Sequence, residues 1–138
     1  MITAGSNGGS ENMEEFNRLA ATVLSILHDA FPHLLVLNAN DLYENPNELS
    51  LSYIDGTMQF LQSEGFIVFT DSAGDGQIYL GVQLTMKGLG VLNKVPEALG
   101  SKETILQKMK VAVKSGSKVL FTEAVKSLIS ESVKGSLS

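Results

Sequence analysis

The stretch from Leu49 to Leu84 constrains the fold most. Its apolar residues first follow the spacing of a helix and then the pattern of two strands, which are separated by a glycine-rich loop. Its first part places Ile54, Met58 and Leu61 at the i, i+4, i+7 spacing of an amphipathic helix. Gly65 can end that helix, since glycine adopts a left-handed backbone at little cost. We therefore expect a helix with one buried face, beginning at a cap on Ser50 or Ser52.

A β-hairpin is predicted directly after this helix. The apolar run Phe66–Phe69 has the length of a strand, and apolar residues alternate with others over Ile78–Leu84, as in a strand with one buried face. Between them, Asp71–Gly76 (DSAGDG) has the composition of a hairpin loop. The predicted core contains Leu24, Leu27, Ile54, Met58, Leu61, Ile67, Leu80 and Val82.

A long helix is predicted ahead of this unit. Asn12 and Glu15 have the spacing of a capping box, apolar residues then recur over about four turns, and Pro32 stops the helix near Phe31. Residues 1–11 are rich in glycine, serine and asparagine, which predicts a flexible tail. A short strand over Leu34–Leu37 and a short helix over Asp41–Glu44 follow.

The C-terminal third is predicted to be helical. Thr85 can cap one helix that closes before Pro96, and a second helical region begins at Ser101. Apolar residues up to Leu120 and those beyond it lie on different helical faces, and residues 115–117 (SGS) lie near this change, so we expect a break there. The boundaries are a tail at 1–11, a domain at 12–96 and an amphipathic extension at 97–138.

Charge is distributed unevenly along the chain. Residues 1–86 carry one basic and eleven acidic side chains, whereas residues 87–138 carry nine lysines and four acids, giving formal charges of −10 and +5. Cysteine is absent, which excludes disulfides and thiolate metal sites, and residues 1–12 do not resemble a secretory signal. No apolar run approaches the length of a membrane span. These features predict a cytoplasmic location.

Two motifs, YIDGTMQFLQSEGFIVF and GVQLTMKGLGVLNKVP, connect the chain to a known family. The motif GVQLTMKGLGVLNKVP is similar to the LTxKGxxxL ending that follows the hairpin in small bacterial winged-helix proteins. The order helix, strand, helix, helix, strand, loop, strand also resembles the winged-helix family. The resemblance covers Phe16–Pro96 and implies an α+β fold, a winged-helix domain of three helices plus a β-hairpin wing, here followed by a helical C-terminal extension.

In most winged-helix proteins the helix before the hairpin enters the DNA major groove and the wing contacts phosphate. Phosphate binding needs Lys or Arg, and neither Ser50–Gly65 nor the hairpin loop contains one. We therefore predict a non-catalytic module that acts through protein–protein contacts. The alternative is a DNA-binding transcriptional regulator whose basic tail or dimer contacts phosphate. The partner- or DNA-facing candidates are Asn47, Ser52, Asp55, Gln59 and Gln62.

The lysine-rich extension has its own candidate surface. Its basic residues could contact nucleic acid or anionic lipid, although a solvated or interdomain helix face is the commoner use of spaced lysines. Its two apolar faces must cover the first helix, pair with a second copy or lie on a membrane. We predict a homo-oligomer or a protein partner, with peripheral membrane association as the minor alternative. The candidate basic residues are Lys108, Lys110, Lys114 and Lys118.

No residue set in the chain predicts catalysis. His28 and His33 are separated by Pro32 and have no third histidine, so they do not form a metal-binding pattern. The DSAGDG loop lacks the ligand spacing and closing glutamate of a calcium loop. Nucleophile and phosphate-loop motifs are also missing. We expect no enzyme activity, no metal and no cofactor.

Overall fold

The computed structural model describes residues 3–97 and 102–137, with side chains described over residues 11–97 and 102–134. These residues form an α+β structure of five helices and a small antiparallel sheet of four strands. The elements in chain order are α1 (Thr3–Ala30), β1 (Leu35–Asn38), a 3₁₀ turn (Ala39–Asp41), α2 (Glu48–Ser63), β2 (Ile67–Val68), β3 (Asp71–Ala73), β4 (Ile78–Leu84), α3 (Met86–Leu92), α4 (Ile105–Ser115) and α5 (Lys118–Leu137).

Helix α1 is the centre of the structure. At about 100° per residue, its buried positions cover about two-thirds of the helix circumference. They are Asn17, Leu19, Ala20, Ala21, Val23, Leu24, Ser25 and Leu27. A helix buried so widely needs packing on more than one side, and α1 packs against α2 and β4 and also against α4 and α5.

The start of α1 differs from the prediction. The helix begins at Thr3 rather than at Asn12, so residues 3–11 of the predicted flexible tail are helical. Glycine and serine lower helix propensity without stopping a helix, and no proline precedes Pro32. Asn12 therefore lies within the helix and does not cap it; its side chain accepts a hydrogen bond from the Tyr53 hydroxyl at 2.9 Å.

A bulge in β4 corrects the predicted core. The strand order is β1-β4-β2, with β3 also paired to β4, and Leu35 faces Val82 while Leu37 faces Tyr79. The segment from Tyr79 to Val82 on β4 is therefore one residue longer than the segment from Leu35 to Leu37 that it faces on β1. Gly81, with φ of 64°, adopts the left-handed backbone that absorbs the extra residue. The phase of the strand changes there, so Tyr79 is buried and Leu80 is 38% exposed, and the prediction that Leu80 belongs to the core is wrong.

The start of α2 and the tip of the hairpin also differ from the predicted pattern, whereas Gly65 follows the end of α2 in the predicted left-handed conformation. Asn47, rather than a serine, caps α2, because its side chain accepts from the backbone amide of Ser50 at 2.9 Å. Part of the predicted loop, Asp71–Ala73, pairs with β4 as a strand. The turn that follows is not fully exposed, since Gly76 is buried close to the carbonyl oxygen of Leu51.

Helix α3 closely approaches Phe66, the residue before β2, through a glycine. Thr85 caps the helix as predicted, accepting from the amide of Gly88 at 2.9 Å. A Cβ built on Gly88 would lie 2.2 Å from the carbonyl oxygen of Phe66, whereas one built on Gly90 would meet nothing within 4 Å. Only the first glycine therefore serves the close packing of α3.

The extension folds back onto α1. The predicted start at Ser101 lies outside the described residues, and α4 begins after a cap on Thr104. The break falls within 115–117 as predicted, because α4 ends at Ser115 with a left-handed Gly116 and α5 begins at Lys118. The large apolar side chains buried in this layer are Ile105, Met109, Phe121, Val125 and Leu128.

Candidate functional site

Four of the five candidate residues on and beside α2 make side-chain hydrogen bonds within the fold, and Asn47, Asp55 and Gln62 do so with residues outside the candidate set. Asn47 caps the helix and also accepts from the Ser50 hydroxyl at 3.0 Å. Asp55 accepts from the buried Tyr79 hydroxyl at 2.6 Å. The side-chain oxygen of Gln62 accepts from the backbone amide of Phe69 at 2.8 Å. The contacts of Asp55 and Gln62 hold α2 against the hairpin, and the contacts of all three residues reduce the polar surface that could meet a ligand.

The contact between Asp55 and Tyr79 joins α2 to β4. Burial raises the pKa of the Tyr79 hydroxyl above its usual range, and the hydrogen bond to Asp55 raises it further. The Tyr79 ring packs edge-on against Phe69, with ring centroids 5.0 Å apart. The carboxylate of Asp55 is therefore an acceptor for a structural phenol.

Ser52 and Gln59 are exposed on the outward side of α2, where the side-chain amide of Gln59 donates to Asp55 at 3.4 Å. Gly56 lies between them in sequence, and no lysine or arginine occurs from residue 19 to residue 86. Lys87 approaches the end of α2, where its ammonium donates to the carbonyl oxygen of Glu64 at 2.8 Å. The exposed side of α2 thus lacks the phosphate-binding residues of a DNA-contacting helix.

The lysines of the extension are divided between two environments. Lys110 on α4 pairs with Asp29, and Lys118 on α5 pairs with Glu14 at 3.5 Å, so two of the four candidates join the extension to α1. Lys108 is half-buried and Lys114 is exposed. The opposed charges predicted from the sequence therefore contribute to docking within the chain, although exposed pairs of this kind are worth only about 0–1 kcal/mol each.

The outward face of the sheet carries an apolar surface that sequence reasoning did not identify. The register places Val36, Leu80 and Asp71 in one row across β1, β4 and β3. Val68 pairs with Gln83, and extension of the β1–β4 register by one residue beyond Leu35 places Leu34 opposite Gln83. These three residues form a second row. We call these six residues the outer sheet face. Its four apolar members are each at least 38% exposed, and Gln83 donates to the carbonyl oxygen of Pro32 at 2.6 Å.

A contiguous apolar surface of this kind is typical of protein-binding sites. The sequence contained a signal for this surface. All four residues of Leu34–Leu37 are apolar, although alternate side chains of a strand point to opposite faces and only one face can meet the core. Another signal, Gly81 inside a strand pattern, indicates the bulge that turns Leu80 outward.

Comparison of the chain with known proteins identified no relative. No protein-family model, no curated protein and no solved structure matches this chain. Within residues 3–97 and 102–137, no helix has both the length and the apolar character needed to cross a bilayer. The same described residues contain no cluster of three or more metal-ligating side chains.

A cluster at Tyr43 makes the stability of the fold sensitive to high pH. The Tyr43 hydroxyl donates to Glu15 at 2.5 Å, and Arg18 lies over the Tyr43 ring at 4.6 Å from its centroid. Burial, followed by the hydrogen bond and charge of Glu15, raises the pKa of Tyr43 to about 12 from an ordinary 10. The neutral phenol is thus favoured in the folded state.

This shift predicts loss of stability at alkaline pH. The contribution of Tyr43 is fully present below pH 10 and disappears as pH rises through about 12, because the unfolded phenol ionises first. The fall in the free energy of unfolding between pH 9 and pH 11 should therefore be smaller for Tyr43→Phe than for the wild type. Urea unfolding at both pH values measures it, and equal falls in the two proteins would contradict the assignment.

Proposed function

We propose that this chain is a cytoplasmic winged-helix domain that acts as a non-catalytic protein-interaction module. The element order from α1 to β4 supports the fold assignment, since α2 leads directly into a hairpin and β4 lies between β1 and β2. The outer sheet face is the observation that carries the function. It offers four exposed apolar side chains on one rigid surface, as expected of a protein-binding site.

The partner that fits this face has an apolar centre and a basic rim. Asp71 lies within the outer sheet face, Asp75 is exposed in the neighbouring turn, and residues 1–86 have a formal charge of −10. A second copy of the same face would bring these carboxylates together, which like-charge repulsion disfavours. A segment of another protein with apolar residues flanked by Lys or Arg would instead match both the apolar centre and the acidic surround.

Selection of peptides from a random displayed library on the immobilised full chain tests this function. We expect enriched sequences to combine apolar residues with Lys or Arg, and their binding to be lost in Leu80→Lys, which places a cation at the centre of the face. Val113→Lys is the matched control, because Val113 is 39% exposed on α4 and Leu80 is 38% exposed. Peptides that bind wild type and Leu80→Lys equally, or no enrichment, would contradict the proposal.

The absence of bases on α2 and the hairpin predicts weak DNA binding. Titration of mixed-sequence duplex DNA at physiological salt, followed by fluorescence anisotropy, should give no association tighter than about 100 μM, the weak end of non-specific binding. Tighter binding that weakens steeply with added salt would favour the DNA-binding regulator instead. Its dependence on Lys108 and Lys114 would then locate the phosphate contacts.

A further inference from the structure

The exposed side of α5 has the spacing of a helix-pairing seam. Val119, Thr122, Lys126, Ile129 and Val133 are separated by three, four, three and four residues, the pattern of the core positions of a coiled coil. The residues that α5 buries in its own chain lie on the adjacent side of the helix; they are Phe121, Ala124, Val125, Leu128 and Glu131. Helix α5 therefore exposes Val119, Ile129 and Val133 beside the side that it buries, and a second packing partner would explain these apolar residues.

A groove runs beside this seam. The space between α1 and α5 has a volume of about 320 Å³. It is mainly apolar and open to solvent, and its lining consists of Met13, Glu14 and Asn17 from α1 with Thr122, Val125, Lys126 and Ile129 from α5. Such a groove can receive side chains from a helix that lies along the seam.

The charges on the groove suit a second copy of the same chain. Glu14 lies on the α1 side and Lys126 on the α5 side, so the two rims carry opposite charges. In a two-fold arrangement each copy contributes the same surface, and Glu14 of one copy then faces Lys126 of the other. Glu14 already lies 3.5 Å from Lys118 but remains 41% exposed, which leaves its carboxylate accessible.

We propose that two copies of the chain associate through this surface, with their α5 helices antiparallel and each seam lying along the α1–α5 groove of the other copy. Val119, Ile129 and Val133 form the apolar contact. The pairs of Glu14 with Lys126 fix the relative orientation and the register. This association leaves the outer sheet face free and is independent of the function proposed for that face.

Sedimentation equilibrium of the full chain over a range of concentrations tests the proposal. We expect a reversible dimer of the 14.8 kDa chain. Ile129→Glu should raise the dimer Kd by about thirtyfold or more, because it places a charge at the centre of the contact. The matched control is Val111→Glu, which changes a valine of similar exposure on α4, 46% against 47%, and should dimerise like the wild type.

A charge exchange tests the orientation and does not depend on Ile129. Lys126→Glu should raise Kd by about fivefold to tenfold, since it replaces an attraction by a repulsion at an exposed rim, and adding Glu14→Lys should restore part of the affinity. A monomer at all concentrations, a dimer unaffected by Ile129→Glu, or no recovery in the double variant would overturn the proposal. Binding of a monomeric chain to anionic phosphatidylserine vesicles, lost in Ile129→Glu, would also overturn it by assigning the seam to a membrane surface.

Discussion

Removal of residues 97–138 is expected to abolish cooperative folding of the remaining chain. The deletion takes away α4 and α5, which cover one side of α1 with five large buried side chains (Ile105, Met109, Phe121, Val125 and Leu128). Burial of each such side chain contributes about 1.5–3 kcal/mol, whereas a whole domain is stable by only about 5–15 kcal/mol. Circular dichroism during urea titration should show a broad, non-cooperative loss of helix in the truncated chain.

Two variants of the full chain provide the matched comparison within α4. Met109 is fully buried, so Met109→Ala should lower the free energy of unfolding by about 2–5 kcal/mol. Val111, two residues away and exposed, should tolerate alanine with a change below about 0.5 kcal/mol. A truncated chain with the urea midpoint of the full protein would show that α4 and α5 rest on α1 without stabilising it.

Alanine at the two glycines of α3 should have effects of opposite sign. Gly88→Ala places a methyl group where the carbonyl oxygen of Phe66 would be 2.2 Å away, and backbone atoms cannot move aside cheaply. We expect a loss of about 1–3 kcal/mol, or more if α3 separates from β2. Gly90→Ala has open space around the new methyl group, so the higher helix propensity of alanine should stabilise the protein by up to about 1 kcal/mol.

Urea denaturation of both variants measures this difference. Because the two substitutions are chemically identical and lie in the same short helix, propensity and unfolded-state effects are closely matched between them. Equal changes in stability would show that α3 does not pack against β2 as closely as described, and that the geometry at Gly88 is not under steric constraint.

The sequence correctly predicted most of the elements in which apolar residues recur at a regular spacing. The i, i+4, i+7 pattern of Ile54, Met58 and Leu61 correctly identified the buried side of α2, and the change of apolar face near residues 115–117 located the break between α4 and α5. These features depend on neighbours within a few residues. A single sequence contains that information directly.

Long-range features were harder to predict. The buried circumference of α1 reflects packing against elements up to a hundred residues away, and the bulge at Gly81 reverses a strand alternation that is regular in the sequence. Among the candidate site residues, Asn47, Asp55 and Gln62 were identified as polar and accessible, but their hydrogen-bond partners depend on the folded arrangement. The outer sheet face was missed partly because Leu80 faces outward only as a result of the bulge.

The central place of α1 has a consequence for synthesis of the protein on the ribosome. Helix α1 is translated first, but the side chains that cover its second side belong to α4 and α5, which end at Leu137. At about 5–20 residues per second, the nascent chain keeps that apolar surface uncovered for roughly 5–20 s. An apolar surface exposed for this interval favours aggregation, so we expect the yield of the protein to depend on translation speed as well as on the stability of the finished fold.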